Sequence, residues 1–132
     1  GVAGIRDLNE LLRSMSPVQR PGEFVFVAWN ADLGLEHIEA LIREPEGLCA
    51  VVARDVAEAA GLDYDFVGAW ITLEVNSALD AVGLTAAFAT ALADAGLSCN
   101  VIAGLHHDHV LVDVDDAGAA LRVLQRLSGI DS

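Results

Sequence analysis

The 132-residue sequence predicts an α+β fold built from ferredoxin-like βαββαβ modules, with two halves completing each other's antiparallel sheets and helices on one face. Three observations predict it. The second half reads β-α-β-β-α, five of the six elements of that plan with the last strand missing. The first half carries an odd strand near Glu23–Trp29, and a sheet edge left bare beside the last helix would invite wrong pairing. A weak internal repeat also aligns "EPEG-LCAVV-ARDVAEAAGL" with "HHDH-VLVDV-DDAGAALRVL", each giving a turn, a five-residue strand, an Asp-bearing cap and an alanine-rich helix. The expected halves are 1–64, a helix plus a degenerate module, and 65–132, a fuller one.

The elements follow from periodicity. In "IRDLNELLRSM" Ile5, Leu8, Leu11, Leu12 and Met15 share one helical face, and Pro17 and Pro21 then break the helix. Glu23–Trp29 is a strand. "LEHIEALIREPEGLCAVV" gives two strands joined by the turn Glu44-Pro45-Glu46-Gly47. Val56–Ala60 is a short helix with Asp55 as its cap and Gly61 at its end. Trp70–Val75 alternates, with Ile71, Leu73 and Val75 on one face. The loop "NSALDAVG" leads to a helix from about Leu84 to Ala95, whose stripe is Leu84, Phe88, Ala91, Leu92 and Ala95 and whose C-terminal cap is Gly96. "SCNVIAG" is a strand. After the next turn Val110, Val112 and Val114 face inward, and Asp115 caps a last helix with the stripe Ala117, Leu121, Leu124 and Leu127.

Composition removes several function classes. The formal net charge is −13, from 20 acidic residues against seven arginines and no lysine. Scattered arginines form no basic stripe for phosphates, so nucleic acid is not expected as a partner, and an anionic membrane surface repels the chain. Without lysine there is no Schiff-base chemistry and no P-loop lysine. No stretch approaches the ~20 apolar residues of a membrane span. The opening "GVAGIRDLNELL" shows no basic-then-apolar pattern, and Cys49 and Cys99 lie apart in apolar runs, so a cytoplasmic protein with reduced thiols is the expectation.

The densest polar motif is "GLHHDHVLVDV" from Gly104. His107 and His109 stand at i, i+2 and share a face if the strand begins there, while His106 and Asp108 point the other way. Zinc wants three or four converging ligands, and one extended segment supplies two per face. His37 is the only other histidine and has no motif around it. No nucleophile context such as G-x-S-x-G exists either. By its place in the repeat the cluster is a hairpin turn, with no metal and no cofactor expected. "DVDDAG" from Asp113 fails as a calcium loop because Ala117 stands at the fifth place.

"WITLEVNSALDAVGLTAAFATALADAGLSCNVIAGLHHDHVLV" resembles the small bacterial stand-alone ACT-domain proteins, and "SMSPVQRPGEFVFV" and "EPEGLCAVV" resemble the same group. The resemblance implies a pair of ACT-like modules in a non-catalytic regulatory or sensor protein that binds a small amino acid or related metabolite at a module interface. It also implies a ligand loop between the first strand and first helix, here Asn76 to Leu84. The local chemistry agrees. Free backbone N–H groups at the helix start suit a carboxylate, Gly83 lets a ligand approach the backbone, and Asp80 can pair an ammonium group. The expected ligand-binding residues are Asn76, Ser77, Asp80, Val82, Gly83 and Leu84, with Asn100 and Val101 at the start of the next strand. For Asn100 the alternative is an outward amide bonded to water or the neighbouring loop. His107, Asp108 and His109 also match the group, as turn-ordering residues or as contacts to ligand or partner subunit.

The expected partners are therefore an amino-acid-like ligand and a second copy of the chain in a homodimer whose sheets join. The alternative is a ligand-free interaction or oligomerisation module.

Overall fold

The computed structural model describes residues 7–75 and 82–129. Contacts divide the chain into two compact units, Pro21–Ala69 and the combination of Gly1–Arg20 with Trp70–Ser132. Among the described residues no helix is long and apolar enough to cross a membrane.

The discontinuous unit opens with helix α1 (Leu8–Ser14), whose N-cap Asp7 accepts the Glu10 N–H at 3.0 Å. Strand β1 (Ser16–Gln19) follows. The remaining elements are strand β5 (Val67–Glu74, of which Trp70 onward belongs here), helix α3 (Leu84–Asp94), β6 (Asn100–Ala103), β7 (Asp108–Asp113) and helix α4 (Ala117–Leu127). The strand order is β1-β5-β7-β6. This completes the βαββαβ plan that the second half alone leaves unfinished. The completing strand is β1, paired antiparallel with β5 from Ser16↔Glu74 to Gln19↔Ile71. Sequence reasoning assigned Pro17 to a break and looked to Glu23–Trp29 for the odd strand. Proline fits β1 because β5 is that strand's only partner among the described residues, and a missing N–H is tolerated on an outer strand.

Burial and capping follow the pattern with four corrections. Ile71, Leu73, Phe88, Leu92, Val110 and Val112 are buried as expected. On β7, however, Leu111 is buried too, and Val114 is only half-buried in a 3-10 turn (Val114–Asp116), so both faces of this strand are covered. The capping aspartate is Asp113, which accepts the Asp115 N–H at 2.9 Å and starts the 3-10 turn; Asp115 is not the cap of α4. The stripe of α4 is rotated as well, burying Ala117, Ala120, Val123 and Leu124, with Leu121 and Leu127 half-buried. Ala95, expected in the stripe of α3, is exposed beyond the helix end.

The unit Pro21–Ala69 contains β2 (Phe24–Ala28), β3 (Ile38–Glu44), β4 (Gly47–Ala53), helix α2 (Arg54–Ala59) and the first residues of β5, in the order β3-β4-β2-β5. That is again the strand order of a βαββαβ module, with its first helix reduced to the 3-10 turn Leu35–His37. Its core gathers Val25, Val27, Leu33, Ala50, Val52 and Ala57. Helix α2 begins at Arg54, whose N–H bonds the Glu23 carbonyl at 2.9 Å, so Asp55 lies inside the first turn and caps nothing. Both cysteines are free and half-buried, and burial pushes both thiols up. Cys49 lies in β4, whereas β6 starts one residue after Cys99.

Candidate functional site

The histidine motif folds as a hairpin turn. Strand pairing ends at Ala103↔Asp108, and the Gly104 N–H donates to the His107 carbonyl at 2.9 Å. A Cβ on residue 104 would meet that carbonyl oxygen at 2.9 Å and His109 Nε2 at 3.0 Å, so glycine is what allows the turn to close.

Both strand-facing imidazoles reach β5. His107 Nδ1 lies 3.4 Å from the Val75 N–H nitrogen and 3.3 Å from its carbonyl oxygen, at the residue where β5 hands over to the 76–81 segment. Lower down, Trp70 Nε1 donates to Thr72 Oγ1 at 3.1 Å and lies 3.3 Å from His109 Nδ1, which is itself 3.0 Å from Thr72 Oγ1. An indole N–H only donates, so Nδ1 of His109 is an acceptor and the ring proton is placed on Nε2. The rings pack tilted with centroids 5.3 Å apart, and the Arg20 guanidinium carbon sits 4.9 Å from the Trp70 ring centroid. Burial holds His109 below the usual imidazole range, helped by His107 and Arg20 and opposed by Asp108. Burial also raises the Asp108 carboxyl, with His109 pulling the other way. Trp70, Thr72 and Arg20 were not singled out in the sequence. The pairing of β7 with β5 brings Trp70 and Thr72 to the histidines, and Arg20 reaches Trp70 from the end of β1, its N–H donating to the Trp70 carbonyl at 2.8 Å.

Among the described residues no group of three His, Cys, Asp or Glu side chains could hold a metal ion. His37 pairs with its neighbour Glu36 at 3.7 Å.

The expected ligand loop is described from its far end. Val82 is 84% exposed. Gly83 adopts φ 102° as the N-cap of α3, no described side chain caps the helix, and the Ala87 N–H bonds the Gly83 carbonyl at 2.9 Å. A Cβ at Gly83 would meet Leu8 Cδ2 at 3.2 Å, so on that side α1, rather than a ligand, makes the close approach. An open groove of about 540 Å³ runs from Leu8 and Gly83 along Ala87, Thr90 and Ala91 to Leu127. The Leu84 side chain is buried, which leaves only its backbone N–H for a ligand. Asn100 is exposed and donates to the Leu111 carbonyl at 3.4 Å, and Val101 is 37% exposed. Asn76, Ser77 and Asp80 lie outside the described residues.

The unit Pro21–Ala69 has its own polar cluster, which sequence reasoning did not anticipate. Arg54 bonds Glu23 Oε1 at 2.9 Å through Nη1 and Tyr64 Oη at 2.9 Å through Nε, and Tyr64 donates to Glu58 at 2.6 Å. The bond to Tyr64, then that to Glu23, raises the guanidinium further, and Tyr64 lowers the Glu58 carboxyl. These groups satisfy one another, and Glu23 and Arg54 also line a cavity of about 200 Å³ with Pro21, Phe24 and Asp55.

Two family models described as the ACT domain match the chain, one over residues 3–69 and one over 66–126. No curated protein matches it. Among solved structures, a protein of unknown function from Vibrio cholerae, described as a possible transport protein, is 44% identical with a TM-score of 0.80, covering 96% of this chain and 99% of its own. A protein from Agrobacterium tumefaciens is 18% identical with a TM-score of 0.67, covering 86% of this chain and 89% of its own. The ligand-free regulatory subunit of aspartate kinase from Thermus thermophilus is 12% identical with a TM-score of 0.62, covering 86% of this chain and 97% of its own. The last two likenesses are of fold. Strand order in both units and two tandem family matches agree: this chain belongs to the ACT-domain family.

Proposed function

We propose that this chain is a cytoplasmic regulatory or sensor protein, without catalysis of its own, that binds a small amino acid or related metabolite and works as a homodimer. The family membership supports the class, and so does the likeness of fold to regulatory subunits of aspartate kinase. In this reading 1–64 and 65–132 are the two ACT-like halves, and the N-terminal one lends β1 to the sheet of the other.

The single observation carrying the site is the start of α3, where Gly83 opens the helix with no described side chain on its first-turn amides. Those amides attract a carboxylate. In this reading Asn76, Ser77 and Asp80 contribute to binding, with Asp80 taking the ligand's ammonium group, and Val82, Gly83 and Leu84 offer backbone. Asn100 and Val101 contribute from the start of β6. The hairpin acts from behind, with His107 holding Val75 at the loop's entry.

The test is a thermal-shift screen of the twenty amino acids at millimolar concentration, followed by calorimetry. A ligand at about a hundred times its Kd adds roughly 2.7 kcal/mol to stability, so at least one amino acid should raise the melting temperature clearly. Asp80→Asn should weaken that ligand about tenfold, the loss of one charge-assisted contact, without moving the ligand-free melting temperature. A flat screen, with a protein partner co-purifying, would instead favour the ligand-free interaction module.

A further inference from the structure

The unit Pro21–Ala69 lacks a helix that its own strand plan calls for. In the other unit the chain runs from β5 through the eleven-residue helix α3 to β6, and α3 packs beside α4. Here it runs from β2 through the 3-10 turn Leu35–His37 to β3, and the six-residue α2 is the one α-helix. The approach to that turn is firmly held: Trp29 Nε1 donates to the Leu33 carbonyl at 3.1 Å, and Asn30 Oδ1 accepts the Asp32 N–H at 3.0 Å.

The place of the reduced helix is open. A cavity of about 270 Å³ lies between Asp32, Leu33 and His37 on one side and Val56, Ala59 and Ala60 of α2 on the other. That is below the usual range of small-molecule pockets, about 300–1,000 Å³. On β3, Leu41 stands opposite Ala50, which shares a core with Ala57 of α2, so its side chain belongs to the helix-bearing face; it is nevertheless 41% exposed. Leu35, in the turn itself, is 72% exposed.

Charge states what kind of element fits. Ten acidic residues and two arginines lie between Pro21 and Ala69. Asp32 lines the cavity, Glu36 pairs with His37 beside it, and Asp55 stands one turn before Ala59 on α2. Arg54 is taken up by Glu23 and Tyr64, and Arg43 lies towards the end of β3.

We infer that this place receives an amphipathic helix of a partner protein, laid beside α2, with an apolar row towards Leu41 and the cavity and with lysine or arginine on its flanks. The inference goes beyond the amino-acid site and does not depend on it. Among the described residues a second copy of the chain has no such helix to spare, because α1, α3 and α4 already bury their apolar faces. The seven residues of β3 span about 23 Å, so a helix lying along them needs about fifteen residues.

The probe is a synthetic peptide of about fifteen residues with leucine at i, i+3, i+4 and i+7 and lysine on both flanks. It is labelled with fluorescein and followed by anisotropy on the full chain. It should bind with a Kd of about 10–100 µM, and the same peptide with glutamate for lysine should bind at least about tenfold more weakly. Ala59→Arg and Leu41→Arg, on the two walls, should each weaken the lysine peptide about tenfold or more. Ala93→Arg puts the same charge on the exposed side of α3 and should leave its Kd within about twofold. Circular dichroism and melting temperatures confirm that each variant is folded. No binding up to about 1 mM, equal binding of the glutamate peptide, or an Ala93→Arg variant as damaged as Ala59→Arg would each overturn the inference. So would a chain that self-associates in sedimentation velocity without peptide and becomes monomeric on Ala59→Arg, which would give the place to a second copy. None of these outcomes bears on the amino-acid screen.

Discussion

His109 carries the clearest residue-scale consequence. Its Nδ1 accepts from a donor-only indole region, so a second proton on that nitrogen would face the Trp70 N–H and lose the acceptor that Thr72 uses. Because its folded-state value lies below the ordinary 6.5, the unfolded chain takes the proton first, and stability should fall as pH drops below about 6.5. Asp108 acts with the opposite sign. Its carboxyl is raised above the ordinary 3.8, so the native state takes that proton first and regains some stability at lower pH. Melting temperatures from about pH 8 down to pH 5 should show the His109 loss. His109→Gln, which can still accept from Trp70, should flatten that part of the curve. At Gly104, alanine would drive a Cβ against the backbone oxygen of His107, and Gly104→Ala should cost about 1–3 kcal/mol in urea unfolding.

The histidine pair was legible as a turn with two imidazoles on one face, because alternation along a strand is a local property. Their partners were not. Trp70 and Thr72 lie 39 and 37 residues from His109, and no spacing rule links them.

At the scale of elements, the start of α3 and the identity of β1 matter most. Gly83 holds φ 102°, a conformation that costs an L-residue about 1–2 kcal/mol, and Gly83→Ala also meets Leu8 at 3.2 Å. Leu8→Ala added to Gly83→Ala should recover only the contact part of the loss, and urea unfolding of the single and double variants separates the two. The glycine was visible in the sequence before a helical stripe, but its neighbour across space was not. Strand β1 is the reverse case: "SPVQ" is too short and too interrupted by proline to announce itself, and its pairing with β5 alone makes it a strand. Helix caps shifted for a similar reason. Asp113 captures the Asp115 amide because β7 ends there, and Arg54 starts α2 because its N–H is tied to Glu23.

For the whole molecule, an excess of 13 negative charges on 132 residues disfavours phosphate-rich partners and sets copies of the chain to repel one another at long range.

Hydrophobic period, turn residues and charge by themselves determined the α+β class, the β-α-β-β-α order of the second half and the hairpin at the histidines, because each is written in residues that are neighbours along the chain. The tertiary structure alone decided which strand completes the second module, that β7 is buried on both faces, which groups hold His107 and His109, and that Leu8 occupies the space beside Gly83. The reason is range: local patterns fix φ, ψ and the buried face, whereas partners brought together from 32 to 75 positions away are selected by the packing of the whole, which no short window contains.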